Sequence, residues 1–138
     1  MIIADTGFFL ALANKKDRHH AVAVRAAEAL RQPLVTTWPV LTETCQLLAD
    51  RVTSQAAETF ISSGARGAFQ LFALAPEHLP RIAVLMRKYR ELPMDLADAS
   101  MVILAEHLGT GRILSTDQRD FGAYRWKNRH PFENLLLK

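Results

Sequence analysis

Asp5, Glu43, Asp98 and Asp117 are the residues of this chain whose types and placement could do chemistry. Asp5 follows the apolar run Met1-Ile2-Ile3-Ala4, and Asp117 follows Arg112-Ile113-Leu114-Ser115-Thr116. Glu43 and Asp98 sit early in segments with apolar residues at helical spacing. Glu43 stands three positions after Val40 and four before Leu47, so on a helix it shares their inward-facing stripe. An acid there needs a partner, because unpaired buried charge is costly. No Lys or Arg recurs at the other three positions to supply one. A bound cation meets the need. Oxygen ligands without a thiolate or imidazole among them suit Mg²⁺ or Mn²⁺ rather than zinc. Such ions activate water and neutralise phosphate charge, so the chemistry indicated is phosphoryl transfer.

For these acids to meet, the chain must bring strand ends and helix starts to one edge. Met1 to Ala4 has no polar alternation and reads as a strand buried on both faces, as in the centre of a parallel sheet. Gly7 permits an abrupt turn into a short helix from Phe8 to Ala13. Asp17 caps a helix carrying His20, Ala23, Val24, Ala27 and Leu30, which Pro33 ends. Leu34 to Thr37 is a second strand, and Pro39 fits the first turn of the helix bearing Glu43. Thr53 and Ser54 cap a further helix with Ala57, Phe60 and Ile61. Phe69 to Phe72 is a third strand, and Pro76 opens a helix with Leu79, Ile82, Ala83, Met86 and Tyr89 on one face. Asp95 to Leu108 is apolar on most sides and reads as a buried helix stopped by Gly109. Arg112 to Ser115 is a fourth strand. Tyr124 to Trp126 and Asn134 to Leu137 are candidate edge strands in a tail that carries no clear pattern.

Strands alternating with helices imply parallel strands joined by right-handed crossovers, hence a three-layer α/β/α sandwich with a mostly parallel sheet of four to five strands. In such a sheet every strand end and following helix start share one edge, where ligands bind. The four carboxylates belong there. Each also has a purely structural use. Asp95 and Asp98 match a capping box, Asp117 and Asp120 suit a turn, and Glu43 suits a helix start.

The 138 residues form one domain (1–138) with an ordinary globular balance, 49% hydrophobic and 22% charged, and no apolar run long enough for a membrane span. A lone Cys45 excludes an internal disulfide, and no signal peptide is visible, so a cytoplasmic location is expected. The net charge of +3 is too small to imply nucleic acid by itself. Its distribution is more pointed: Arg112, Arg119, Arg125, Lys127 and Arg129 crowd the last quarter, among Phe121, Tyr124 and Trp126. They are candidate phosphate contacts. Phe8, Phe9, Leu12, Phe60 and Ile61 exceed what one small sheet face needs and point to self-association.

Four segments taken together resemble the PIN-domain signature, and VapC-type toxins within it. They are Ile2-Ile3-Ala4-Asp5-Thr6, Glu43 after a strand, Met94-Asp95-Leu96-Ala97-Asp98-Ala99, and Leu114-Ser115-Thr116-Asp117-Gln118-Arg119-Asp120-Phe121. The resemblance implies a sheet order of 3-2-1-4-5, dependence on Mg²⁺ or Mn²⁺, endoribonuclease activity, a homodimer and a cognate antitoxin. By the same resemblance Asp5, Glu43, Asp98 and Asp117 hold the metal, with Thr6, Asp95, Thr116 and Asp120 in support. Two other families with acids at strand ends fit less well. A haloacid-dehalogenase-type phosphatase needs an Asp where Gly7 stands, and a receiver domain needs a lysine after the late strand. The remaining alternative is a non-catalytic PIN-like domain that binds RNA or a partner.

Overall fold

In the computed structural model, which describes residues 1–137, five strands form a parallel sheet in the order β3-β2-β1-β4-β7. These are β1 (Ile2–Ala4), β2 (Leu34–Thr37), β3 (Gln70–Phe72), β4 (Arg112–Leu114) and β7 (Glu133–Asn134). All four pairings are parallel, with Ile3 opposite both Val35 and Ile113. β1 is therefore central, and each of its residues is buried, as its unbroken apolar run requires. The expected order holds, with the last strand in fifth place.

Among the described residues, seven α-helices complete an α/β/α sandwich: α1 (Thr6–Ala13), α2 (His20–Ala29), α3 (Trp38–Arg51), α4 (Ser54–Ala65), α5 (Leu79–Lys88), α6 (Leu96–Leu108) and α7 (Gln118–Ala123). α6 packs on β1, β2, α3 and α5, and all but its ends are buried. Its sequence is apolar all round for that reason. Gly109 ends it in the left-handed region at φ 71°, where a side chain is disfavoured. Thr53 caps α4 by accepting from the Ala56 N–H, and Pro39 lies in the first turn of α3.

Three expectations need correction. On α5 the buried face is Ile82 and Leu85 with half-buried Tyr89, whereas Leu79 and Met86 are 62% and 38% exposed. Pro76–His78 forms a separate 3-10 turn, and α5 starts at Leu79. In the tail, α7 forms where a turn was expected. Beyond it, β5 (Arg125–Trp126) pairs antiparallel with β6 (His130–Pro131) in a hairpin outside the main sheet. The hairpin turn places Lys127 and Asn128 at φ 49° and 64°, a left-handed pair that apolar patterning does not reveal. Finally, the aromatic surplus is used within the chain. Phe8, Phe9 and Phe60 are buried, and the rings of Phe9, Phe60 and Phe69 lie 5.0–5.3 Å apart. Ile61 is the exposed member of that group, while Phe9, Leu12 and Phe60 also line an open groove.

Candidate active site at the carboxyl edge of the sheet

Asp5 is the first residue beyond β1 and occupies the N-cap of α1, yet its side chain makes no capping bond. It is 7% exposed, and its Oδ2 accepts a 3.0 Å hydrogen bond from the Ser115 hydroxyl. Burial dominates and pushes this carboxyl up to about 7, against the Thr6 amide and the Ser115 hydroxyl; the neighbouring Glu43 and Asp117 add to the rise. Glu43 is half-buried in the second turn of α3. Its carboxyl is also raised, first by burial and then by Asp95, with the Thr6 hydroxyl and Arg51 opposing.

Asp98 combines two roles that the sequence left as alternatives. The Asp98 N–H donates to Asp95 Oδ1 at 2.8 Å, and Asp98 Oδ2 accepts from the Asp95 N–H at 3.4 Å, so the capping box is real. The same Oδ2 also accepts from the buried Tyr124 hydroxyl at 3.1 Å, and the carboxyl borders the cavity below. Burial, followed by the charges of Asp95 and Asp5, raises it to about 8. Asp117 caps α7 through the Asp120 N–H at 3.0 Å, while its own N–H donates to Ser115 Oγ at 3.0 Å. Asp120 is raised to about 6, mainly by burial and the Asp117 carboxyl, with Arg119 opposing.

These five acids, with Asp95, line one open cavity of about 400 Å³ together with Thr6, Gly7, Thr116 and Arg51. The parallel sheet explains the convergence: β1 and β4 end side by side, and α3 and α6 start at the same edge. Gly7 lets the edge close up. A Cβ there would lie 1.9 Å from Thr116 Oγ1, so any side chain would displace the Thr116 hydroxyl from the cavity wall. The Thr6 hydroxyl is buried at the cavity wall beside Glu43, the carboxyl toward which it can donate. A larger groove of about 510 Å³ runs between α1, α2 and α4, but Phe9, Leu12, Leu30, Phe60 and their neighbours supply no titratable group. It can bind an apolar segment and cannot run acid–base chemistry.

The five basic residues do not gather into one patch. Arg119, on α7 beside Asp120, is the one adjacent to the cavity. Arg112 starts β4, at the opposite end of that strand, and lines a recess with Ile2 and Gln32. Arg125 donates to the carbonyls of Gly122 and Tyr124. Lys127 and Arg129 lie on the hairpin, which is tied to Glu106 near the far end of α6. Conversely, three residues at the site were not singled out from sequence. Arg51 lies eight positions after Glu43 on α3, a spacing near two helical turns that does signal a shared face. Ser115 sat within the motif as a spacer. Tyr124 follows a helix that the sequence did not announce, and nothing local links it to Asp98.

A mostly parallel α/β sandwich with a carboxylate-lined cavity at the strand ends has the architecture of a small nuclease-type domain. The chain belongs to the PIN-domain family, whose model matches residues 2–127. It is 30% identical over 124 residues to Ribonuclease VapC26 of Mycobacterium tuberculosis, covering 90% of this chain and 92% of that protein. Its fold is similar to the crystal structure of Mycobacterium tuberculosis VapC20, described as a Sarcin-Ricin loop cleaving toxin. The TM-score is 0.80 at 21% identity, over 86% of this chain and 92% of that one.

Proposed function

We propose that this protein is a metal-dependent endoribonuclease of the VapC type, the toxin of a type II toxin–antitoxin pair. The observation that carries the reading is the meeting of Asp5, Glu43, Asp98 and Asp117 around one cavity in a PIN fold. The donor set fits a hard cation: every candidate ligand is an oxygen, and the Thr6 hydroxyl at the cavity wall is one more oxygen. Among the described residues no three Asp, Glu, His or Cys side chains are arranged to hold an ion as they stand. Asp5, Asp98, Asp117 and Glu43 are the proposed holders of Mg²⁺ or Mn²⁺. When bound, the ion supplies charge neutralisation at the phosphate and activation of water.

The chain's own residues prepare that event. Raised carboxyls at Asp5 and Asp98 keep the ion-free cluster partly protonated, which lowers its self-repulsion. Ser115 fixes one oxygen of Asp5, and Tyr124 fixes one oxygen of Asp98, leaving the other oxygen of each for a ligand. Arg119 and Arg51 flank the acids and are placed to hold phosphates of a polyanionic substrate. The reaction is hydrolysis of an RNA phosphodiester with water attacking in line and a 3′-hydroxyl leaving.

The partners that go with this reading are an RNA substrate, a cognate antitoxin and a second copy of the chain. The apolar groove between α1, α2 and α4 suits a segment of either protein partner. Among the described residues no helix is long and apolar enough to cross a membrane, and a cytoplasmic location is proposed. Incubating the protein with total RNA, with and without Mn²⁺, tests the function. Cleavage abolished by EDTA and restored by Mg²⁺ or Mn²⁺ is expected. Absence of cleavage under both, with RNA still bound, would make this a non-catalytic binding domain.

A further inference from the structure

Trp38 is 59% exposed at the start of α3, and Leu96 is 47% exposed at the start of α6. Neither serves the core: the buried residues of α3 are Val40, Leu41, Thr44 and Leu48. Together with Pro39 and Ala97, the two side chains floor an open cleft of about 450 Å³. Its walls include Glu43 and Asp95, which also wall the acidic cavity, so cleft and cavity adjoin across these two side chains. The other tryptophan is in a different state. Trp126 is half-buried, its ring 4.4 Å from that of His130 and its Nε1 donating to the Pro131 carbonyl.

We propose that Trp38, with Leu96 beside it, is a stacking platform for a nucleobase of single-stranded RNA flanking the bond cut in the acidic cavity. The proposal rests on the ribonuclease reading and adds a binding determinant to it. A cavity walled by carboxylates repels the phosphate backbone except where a cation or the flanking Arg51 and Arg119 hold it, so an uncharged contact beside the cavity adds affinity that those charges do not supply. Stacking supplies it without charge, because every base presents a π-face to an exposed indole. The shared walls put the platform next to the reacting phosphate rather than on a remote surface. A flat apolar floor with no basic residue in its lining reads the base and not the backbone.

The test uses Trp126→Phe, in the distal hairpin, so that Trp38 is the sole tryptophan, together with Asp117→Asn to prevent cutting. Emission is followed on titration with short oligoadenylate and with a ribose-phosphate oligomer lacking bases. Quenching by the first and not by the second is expected. In cleavage assays of the otherwise unaltered chain, Trp38→Ala should raise KM by about 5- to 100-fold with kcat little changed. Trp38→Phe should recover most of the loss. If oligoadenylate binds without quenching and Trp38→Ala cuts normally, the platform is overturned and the ribonuclease stands. If light scattering shows that Trp38→Ala dissociates a dimer and activity falls in proportion, the cleft is a contact between copies and the platform is likewise overturned. If no form binds or cuts RNA, the ribonuclease reading fails and the platform with it.

Discussion

The Ser115 hydroxyl donates to Asp5 Oδ2 at 3.0 Å across 110 positions of sequence, and both groups are buried. Ser115 Oγ in turn accepts the Asp117 N–H, so Ser115 ties the ends of β1 and β4 together inside the acidic edge. Ser115→Ala removes both bonds at once. Mn²⁺ affinity should fall by about 10- to 100-fold, the usual cost of losing a group that orients a metal-holding residue. Stability should fall by about 1–3 kcal/mol, since a buried carboxyl and a half-buried amide lose their partners. Calorimetric titration with Mn²⁺ checks the first, and an unchanged Kd would remove Ser115 from that role.

The raised carboxyls make the stability of the ion-free protein fall with rising pH. Asp5 is at about 7 and Asp98 at about 8 when folded, against 3.8 ordinarily. The folded state thus binds more protons than the unfolded state over that interval, and stability declines as pH rises. The stabilising contribution is complete below about pH 4 and gone above about pH 8. Between pH 5 and 8 the loss should be on the order of 6 kcal/mol for Asp5 and Asp98 together. Melts in EDTA measure it. Added Mg²⁺ should flatten or reverse the slope, because it binds the ionised carboxylates. A melting temperature that rises with pH in EDTA would contradict the crowding of these acids.

Asp98→Asn separates the two functions of that residue. The Asp98 N–H bond to Asp95 is a backbone donation and survives the change, and an amide oxygen can still accept from Tyr124. The cap is kept while the charge is removed. At pH 6 Asp98 is already protonated, so the ion-free variant should match the parent. At pH 9 it should be more stable by on the order of 1 kcal/mol, from relieved repulsion with Asp95 and Asp5. Stabilisation by Mg²⁺ should largely disappear at both values. A variant destabilised at pH 9 that still responds to Mg²⁺ would reduce Asp98 to a helix cap.

Salt dependence distinguishes the basic residues. Replacing Arg51 and Arg119 by Ala should weaken RNA binding and lower the slope of log K against log salt by about one for each phosphate no longer neutralised. Replacing Lys127 and Arg129, on the hairpin tied to the far end of α6, should leave the slope unchanged. Equal effects from both pairs would mean that RNA covers the whole face.

Local chemistry decided much of this protein in the sequence itself. An apolar run into Asp5 marks a central strand, the Asp95–Asp98 spacing marks a helix start, and the alternation of strands and helices places both on one edge. These features follow from burial and from backbone hydrogen bonding within a few residues, so a linear reading captures them. What the sequence could not decide are relations set by packing between distant segments. Asp98 is both cap and cavity wall, and Tyr124 reaches it from a helix and turn with no local signature. The aromatic side chains Phe9, Phe60 and Phe69 proved to be one internal cluster, since hydrophobic content does not say whether its partner lies inside the chain or outside. The basic residues of the last quarter are neighbours in sequence, yet the β5–β6 hairpin and the direction of β4 send them to different ends of the sheet. Proximity along the chain fixes chemistry only where the backbone between is straight, and there it turns repeatedly.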